Sequence, residues 1–398
     1  MKRAKIHFFC NGIFGFNVAG GDIHFLKSAR AAAEEGYELN YFGGQAFRKI
    51  IEAYNLPGTV TLTDDAKMAE VNQDSLRGQL AMFRDFYGRY RRSLELCGRV
   101  TPDDYVYATS DYWFDAIPVV RCPARRKLMI VHTQAPGLMQ IVRRGRPDVD
   151  VKRLASLHFF LSQKYALSRF RSCPNKRLLY VHPAMQPAFL RMDYDESELF
   201  FTSEGFDLAA AENTPAQPKQ FDVIWIGRVH RQKGIEDLLA TLAYLAGKVP
   251  DFRAILVGKV EGPLRPQIEA LGLQKHVSFA GVVLSETEKS RLLKASRVFL
   301  MPSNFESWGI VIAEALASGI PVVAYELDAY RPIFGNLLRY VRPFDLRAFQ
   351  QEALDEVNRA RAGQTWLDAA SLQAFKQAHS WQATQKRFLQ ALNSFTDR

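Results

Sequence analysis

Only four cysteines occur in the 398 residues, Cys10, Cys97, Cys122 and Cys173, and none of them forms a C-x-x-C pair or a zinc-like spacing with histidine. That excludes a disulfide-stapled or zinc-ribbon module and predicts a reduced, cytoplasmic setting with the thiols as plain core residues. Long apolar runs are missing as well. A membrane span needs about eighteen or more apolar residues, and the best candidate, Gly309 to Tyr325, contains Glu314, Gly319 and Pro321. The basic, apolar start from Met1 to Phe16 is interrupted by Lys5, His7, Asn11 and glycines and has no small-residue cleavage pattern, so it reads as a first strand and its loop, not a signal peptide. There is no G-x-G-x-x-G fingerprint, no short-period repeat and no low-complexity tract. A D-x-D metal motif in a suitable loop is missing too: the nearest, Asp148-Val149-Asp150, has no strand before it.

What is present is a chain too long for one ordinary core, suited to two domains. Hydrophobic residues make up 47% and charged residues 24%, a soluble globular balance. The net charge of +10 is unevenly placed: residues 1–184 hold 28 Lys+Arg against 17 Asp+Glu, and residues 185–398 hold 24 against 25. All the excess positive charge therefore lies in the first half, which suggests an anionic surface or an anionic acceptor. A nucleic acid is not expected, because no interleaved aromatic platform or known module accompanies the charge.

Along the first half, strands are read at Lys5–Cys10, Leu39–Phe42, Tyr105–Ala108 and Lys127–Val131. The segment Asn11–Gly21 reads as a glycine-rich loop before a helix from about Asp22 to Glu35, the arrangement that lets backbone N–H groups approach a phosphate. Leu76, Leu80, Phe83, Tyr87, Tyr90 and Leu94 recur at helical spacing and predict an amphipathic helix to about Cys97. Arg77, Arg84, Arg91 and Arg92, with Arg89 and Arg99 near, read as its solvated face. Basic patches follow at Arg121–Lys127 and Arg143-Arg144-Gly145-Arg146. The strand ending at Val131 delivers His132 to a sheet's C-terminal edge, where open α/β sheets bind ligands. His7, His24, His182 and His230 read as structural or peripheral.

Residues 185–220 read as an irregular linker. The strand Phe221–Ile226 then enters Gly227-Arg228-Val229-His230-Arg231-Gln232-Lys233-Gly234, where Arg228 and Lys233 converge on a diphosphate. Further strands are read at Ala254–Val257 and Val277–Val282, and Trp381–Phe395 is amphipathic. The run Val298–Tyr325 reads as strand, loop, helix, turn, strand, with Glu306 and Glu314 on either side of the helix start. Free N–H groups at Ser307, Trp308, Gly309 and Ile310 favour an anionic or hydroxyl-rich ligand there.

Glu306 and Glu314 with seven residues between them, followed by A-L-A-S-G-I-P-V-V-A, resemble the signature of the retaining family 4 glycosyltransferases. G-R-x(4)-K-G after a strand is similar to that family's donor diphosphate motif. The resemblance implies the GT-B fold, α/β with two Rossmann-like domains facing across a cleft and a C-terminal helix crossing back to the first. It places an acceptor domain at 1–184 with about 380–398, a linker at 185–220 and a nucleotide-sugar domain at 221–379. It implies that Glu306 and His132 lie by the transferred sugar, that Glu314 holds the ribose, and that Gly20 and Gly21 approach the phosphates. Arg228, Lys233 and Gly227 then hold the diphosphate, and Gly281 and Val282 face the nucleobase.

The implied partners are a UDP- or GDP-sugar, a glycan or lipid-linked acceptor and an anionic membrane surface, with no metal and no cofactor. The implied place is the cytoplasm, peripheral on the inner face of the membrane. Departures are local: Ser307 stands where the family has a small residue or glycine, Trp308 stands for a commoner Phe, and Asp328–Pro332 lacks the usual acidic turn. A GT-B epimerase and a non-catalytic nucleotide-sugar-binding protein share the same features.

Overall fold

A computed structural model describes residues 5–12, 20–64, 76–135, 137–138 and 150–395. The Arg143–Arg146 patch, the carboxylates of Asp148-Val149-Asp150 and most of the loop before Gly20 lie outside the described residues. The chain divides into two compact units, Met1–Glu204 with Thr384–Arg398, and Gly205–Ala383.

In the first unit seven parallel strands, β1 (Lys5–Cys10), β2 (Glu38–Gly43), β3 (Thr59–Leu62), β4 (Tyr105–Ala108), β5 (Arg126–Val131), β6 (Lys176–Tyr180) and β7 (Leu199–Phe201), lie in the order β3-β2-β1-β4-β5-β6-β7. β1 pairs with β2 through Ile6↔Leu39 and with β4 through Ile6↔Tyr105, so the winding reverses between β1 and β4. In such sheets the loops leaving the two central strands diverge and open a crevice beyond their C-terminal ends. The strands read as apolar because both faces are covered: Phe8, Phe9, Tyr41, Tyr107, Ile130 and Leu179 are buried in one core. That core also takes Phe388, Ala391, Leu392 and Phe395 from the end of the chain.

The second unit has six parallel strands, β8 (Phe221–Ile226), β9 (Ala254–Val257), β10 (Val277–Gly281), β11 (Ser296–Met301), β12 (Val322–Tyr325) and β13 (Arg339–Val341), ordered β10-β9-β8-β11-β12-β13. Alternation along the strands sorts its two cores: Val223, Trp225, Val298 and Leu300 point into one, Ile224, Phe299 and Met301 into the other. The reversal lies between β8 and β11, which pair through Val298↔Val223.

Residues 185–220 differ from the expected linker. They hold a short helix (Gln186–Leu190), the edge strand β7 and a second helix (Leu208–Asn213). Leu178↔Leu199 and Tyr180↔Phe201 pair β7 into the first sheet, and the units divide between Glu204 and Gly205. Short polar-flanked strands such as L-F-F carry too little period-two signal to be read before their partner is known.

The Leu76–Leu96 helix also departs from expectation. Its exposed residues include Leu80, Phe83 and Tyr87, while Arg89 is buried to 2% exposure. The inward row is Phe86, Arg89, Ser93 and Leu96. Burial of a guanidinium requires partners. Arg89 has carboxylates of Asp85 at 2.8 Å and Asp64 at 3.2 Å, and donates to the Asn11 carbonyl at 3.1 Å.

Candidate active site

In the second unit the two loops that leave β8 and β11 are tied together at the switch point. Asn304 N–H donates to the Gln232 carbonyl at 2.7 Å, and Gln232 Nε2 donates to the Phe305 carbonyl at 2.8 Å. Two glycines make this approach possible. Gly234 has φ 63° and caps the Ile235–Ala246 helix, and a Cβ there would lie 1.8 Å from the Pro302 carbonyl oxygen. Gly309 has φ 97° and caps the Ile310–Ala317 helix. Only glycine enters that region without strain.

On this frame Lys233 Nζ lies 2.6 Å from Glu306 Oε1, with both side chains largely buried. Arg228, exposed, lies on the same β8 loop as Lys233. The side chain of Trp308 is not turned to a ligand: it is 1% exposed and packs against Phe334 and His379 with ring centroids 5.5 Å apart. Trp308 therefore acts as the floor beneath the helix start, and Ser307 and Ile310 remain partly exposed beside it.

Glu314, four residues into the helix, is 9% exposed. Its Oε1 accepts from Lys289 Nζ at 2.6 Å, Lys289 also contacts Glu286 at 2.9 Å, and Glu314 Oε2 is buried without a hydrogen-bond partner. Burial pulls the Lys289 ammonium down, but the charges of Glu314 and Glu286 outweigh it and the net shift is up. Burial pushes the Glu314 carboxyl up against the pull of Lys289. The geometry of a lysine between two carboxylates favours the ion-paired form at neutral pH. Gly281, with φ 68°, ends β10, and its carbonyl accepts from Gly258 N–H at 2.7 Å; Val282 beyond it is exposed.

In the first unit His132 follows β5 and stands over Gly21, where a Cβ would lie 3.2 Å from the imidazole ring. Gly20 and Gly21 open the helix Gly20–Glu34, two residues earlier than its expected start. His132 Nδ1 lies 3.0 Å from Glu204 Oε1, while its Nε2 is buried without a partner. Burial lowers the pKa of His132, and the hydrogen bond and charge of Glu204 outweigh this, so the net shift is up. His24, read as structural or peripheral, is fully buried 5.5 Å from His132 ring to ring, and burial holds its pKa well below the ordinary histidine value.

A cavity of about 590 Å³ opens at the β1/β4 reversal, lined by Gly12, Gly21, Asp115, His132 and a set of apolar side chains. Asp115 is pushed up to about 7 by burial, against hydrogen bonds from Ser110 and from the backbone of Asn11 and Gly12. No sequence pattern marks Lys289 or Glu204, and nothing in it brings His24 to His132. Lys289 sits three residues after Glu286 on a surface-like helix, and only the fold brings it to Glu314.

Residues 209–341 match the family model described as glycosyl transferases group 1. Among similar curated proteins, the phosphatidyl-myo-inositol mannosyltransferase of Mycolicibacterium smegmatis is 34% identical over 139 residues, which are 33% of this chain and 35% of that one. The sulfoquinovosyl transferase of Arabidopsis thaliana is 33% identical over 252 residues, 60% of this chain and 47% of that one. The chain spans 30–58% of the length of the first curated relatives it matches. Of solved structures, Anabaena HepE in complex with UDP and glucose superposes with TM-score 0.67 at 18% identity, covering 99% of this chain and 100% of that one. The second unit thus carries a match to glycosyl transferases group 1, and the chain as a whole has the GT-B fold.

Proposed function

We propose that the protein is a retaining glycosyltransferase of family 4 that moves a sugar from a nucleotide diphosphate sugar to a glycan or lipid-linked acceptor, in bacterial cell-surface polysaccharide or glycolipid synthesis. It works in the cytoplasm, peripheral on the inner face of the membrane. The observation that carries this reading is the pairing of Lys233 with Glu306 and the glycine-capped helix at Gly309, at the switch point of the second sheet, with Arg228 on the same loop as Lys233. The leaving diphosphate develops negative charge, and Arg228, Lys233 and the N–H groups at Trp308 to Ile310 stabilise it. These cations take the place of a divalent metal, so chelation with EDTA leaves turnover unchanged.

Glu314, held by Lys289 with one oxygen unpartnered, accepts from the ribose hydroxyls. Gly281 and Val282 face the base. Glu306 and the free Nε2 of His132 serve the transferred sugar, with Gly20 and Gly21 near the phosphates. Attack from the face of the leaving phosphate gives retention. UDP in the structure of HepE supports placing uridine first among the bases to be tried. The test is a thermal-shift screen against UDP-, GDP- and ADP-sugars, since a ligand that binds only the folded state stabilises it by RT ln(1 + [L]/Kd). Transfer to an acceptor is then assayed with the sugar that shifts the melt; no shift with any of them, or product formed without an acceptor, overturns the transferase reading.

A further inference from the structure

We propose that the Leu76–Leu96 and Asp150–Arg171 helices form a docking surface for an anionic lipid bilayer. The first helix turns Leu80, Phe83 and Tyr87 outward at 63%, 49% and 50% exposure, and the second turns out Leu161 and Tyr165 at 56% and 49%. The two rows adjoin: the Phe83 ring lies 5.9 Å from His158, and Leu161 and Tyr165 follow His158 along the same helix. Exposed side chains of this size on one patch mark an interaction surface.

The same two helices carry exposed cations, Arg77, Arg84, Arg91 and Lys164, with Arg92 exposed but paired to Glu95. The acids on the same helix are partly neutralised, Asp85 by buried Arg89 and Glu95 by Arg92. An apolar stripe bordered by arginine is the pattern of a helix that lies in a headgroup layer, apolar side chains below and cations at the phosphates. A second copy of the chain fits less well, because a two-fold interface would set the same arginines against one another.

The cavity at the β1/β4 reversal adjoins this surface, for the exposed Leu80 and Phe83 line it together with Met82, Phe86, Phe114 and His132. Docking therefore sets the opening of an apolar cavity against the bilayer, where the chain of an amphiphilic acceptor can enter. That last step rests on the transferase reading; docking itself does not.

The test is flotation of the full chain with phosphatidylcholine vesicles with and without phosphatidylglycerol, at low and at physiological salt. Binding is expected only with the anionic lipid and is expected to fall steeply as salt screens it. Leu80→Ser with Tyr87→Ser, and separately Leu161→Ser with Tyr165→Ser, should each weaken it while leaving the melting temperature unchanged. Arg77→Gln, Arg84→Gln and Arg91→Gln together should reduce partitioning on the order of a hundredfold, as expected for the loss of three cations near such a surface. No flotation at low salt, or equal binding by all three variants, overturns the proposal. So does a dimer in sedimentation velocity that the Leu80→Ser, Tyr87→Ser variant dissolves. A chain that floats normally yet binds no nucleotide sugar would sink the transferase reading and leave the surface standing.

Discussion

Lys233 and Glu306 show what single side chains add at the switch point, since each is the other's partner. Replacing Arg228 or Lys233 by Ala is expected to raise the barrier to transfer by on the order of 2–4 kcal/mol, the cost of one donor at a developing charge. Steady-state kinetics check it: an unchanged kcat/KM in both variants would remove these residues from the site. The two glutamates separate by ligand. Glu314→Ala should weaken binding of the free nucleoside diphosphate, whereas Glu306→Ala should spare that affinity and reduce turnover. Lys289→Met leaves a buried carboxylate unpaired and should cost about 3 kcal/mol of stability. Adding Glu314→Gln should restore the stability in a urea titration without restoring nucleotide affinity, an outcome a purely structural role for the pair does not give.

His132 makes a pH prediction at the same scale. Its folded pKa is raised through Glu204. The stabilisation this gives is fully present below the ordinary histidine value of about 6.5 and is lost as pH rises through the folded value. Wild type should therefore exceed Glu204→Gln in stability by more at pH 6 than at pH 9. The ring resonances of His132 should titrate at lower pH in the variant, and identical titration curves would contradict the assignment.

At the scale of elements, the site depends on how closely two βα turns approach. The Gly234 position leaves no room for a Cβ against the Pro302 carbonyl. Gly234→Ala combines left-handed strain, about 1 kcal/mol or more, with a backbone clash. It should lower stability and uncouple Gln232 from Asn304, and with that coupling the geometry of Lys233 and Glu306 should be lost. Urea denaturation and nucleotide binding measure the two effects, and a variant that is destabilised but binds normally would show that the turn's approach does not set the site. The Leu76–Leu96 helix carries the opposite lesson. Its apolar spacing was legible, but which side faced inward was settled by Asp64, Asp85 and Asn11 capturing Arg89.

Over the whole molecule, the first unit's core is completed by the last stretch of the chain. Phe388 is fully buried among strand residues that precede it by hundreds of positions. Phe388→Ala should cost about 3–5 kcal/mol, seen as an earlier urea transition of the first unit, while the transition of the second keeps its midpoint. A shift of both transitions together would mean that the two units unfold as one.

The sequence by itself determined the succession of strands and helices, because parallel strands buried on both faces read as apolar runs, and turns that require glycine announce themselves. Strands Lys5–Cys10, Tyr105–Ala108 and Phe221–Ile226 lie where those signals put them. The Glu306 and Glu314 spacing and the G-R-x(4)-K-G turn were equally legible, since close backbone approach and paired charges restrict which residues serve. Tertiary structure alone decided the rest. β7 joined a sheet whose partner strand lies about twenty residues upstream, and Lys289, Glu204 and His24 gained their roles from neighbours distant in the chain. The outward stripe of the arginine-bordered helix was set in the same way. In each case burial free energy is shared among residues remote in sequence, so no local pattern records it.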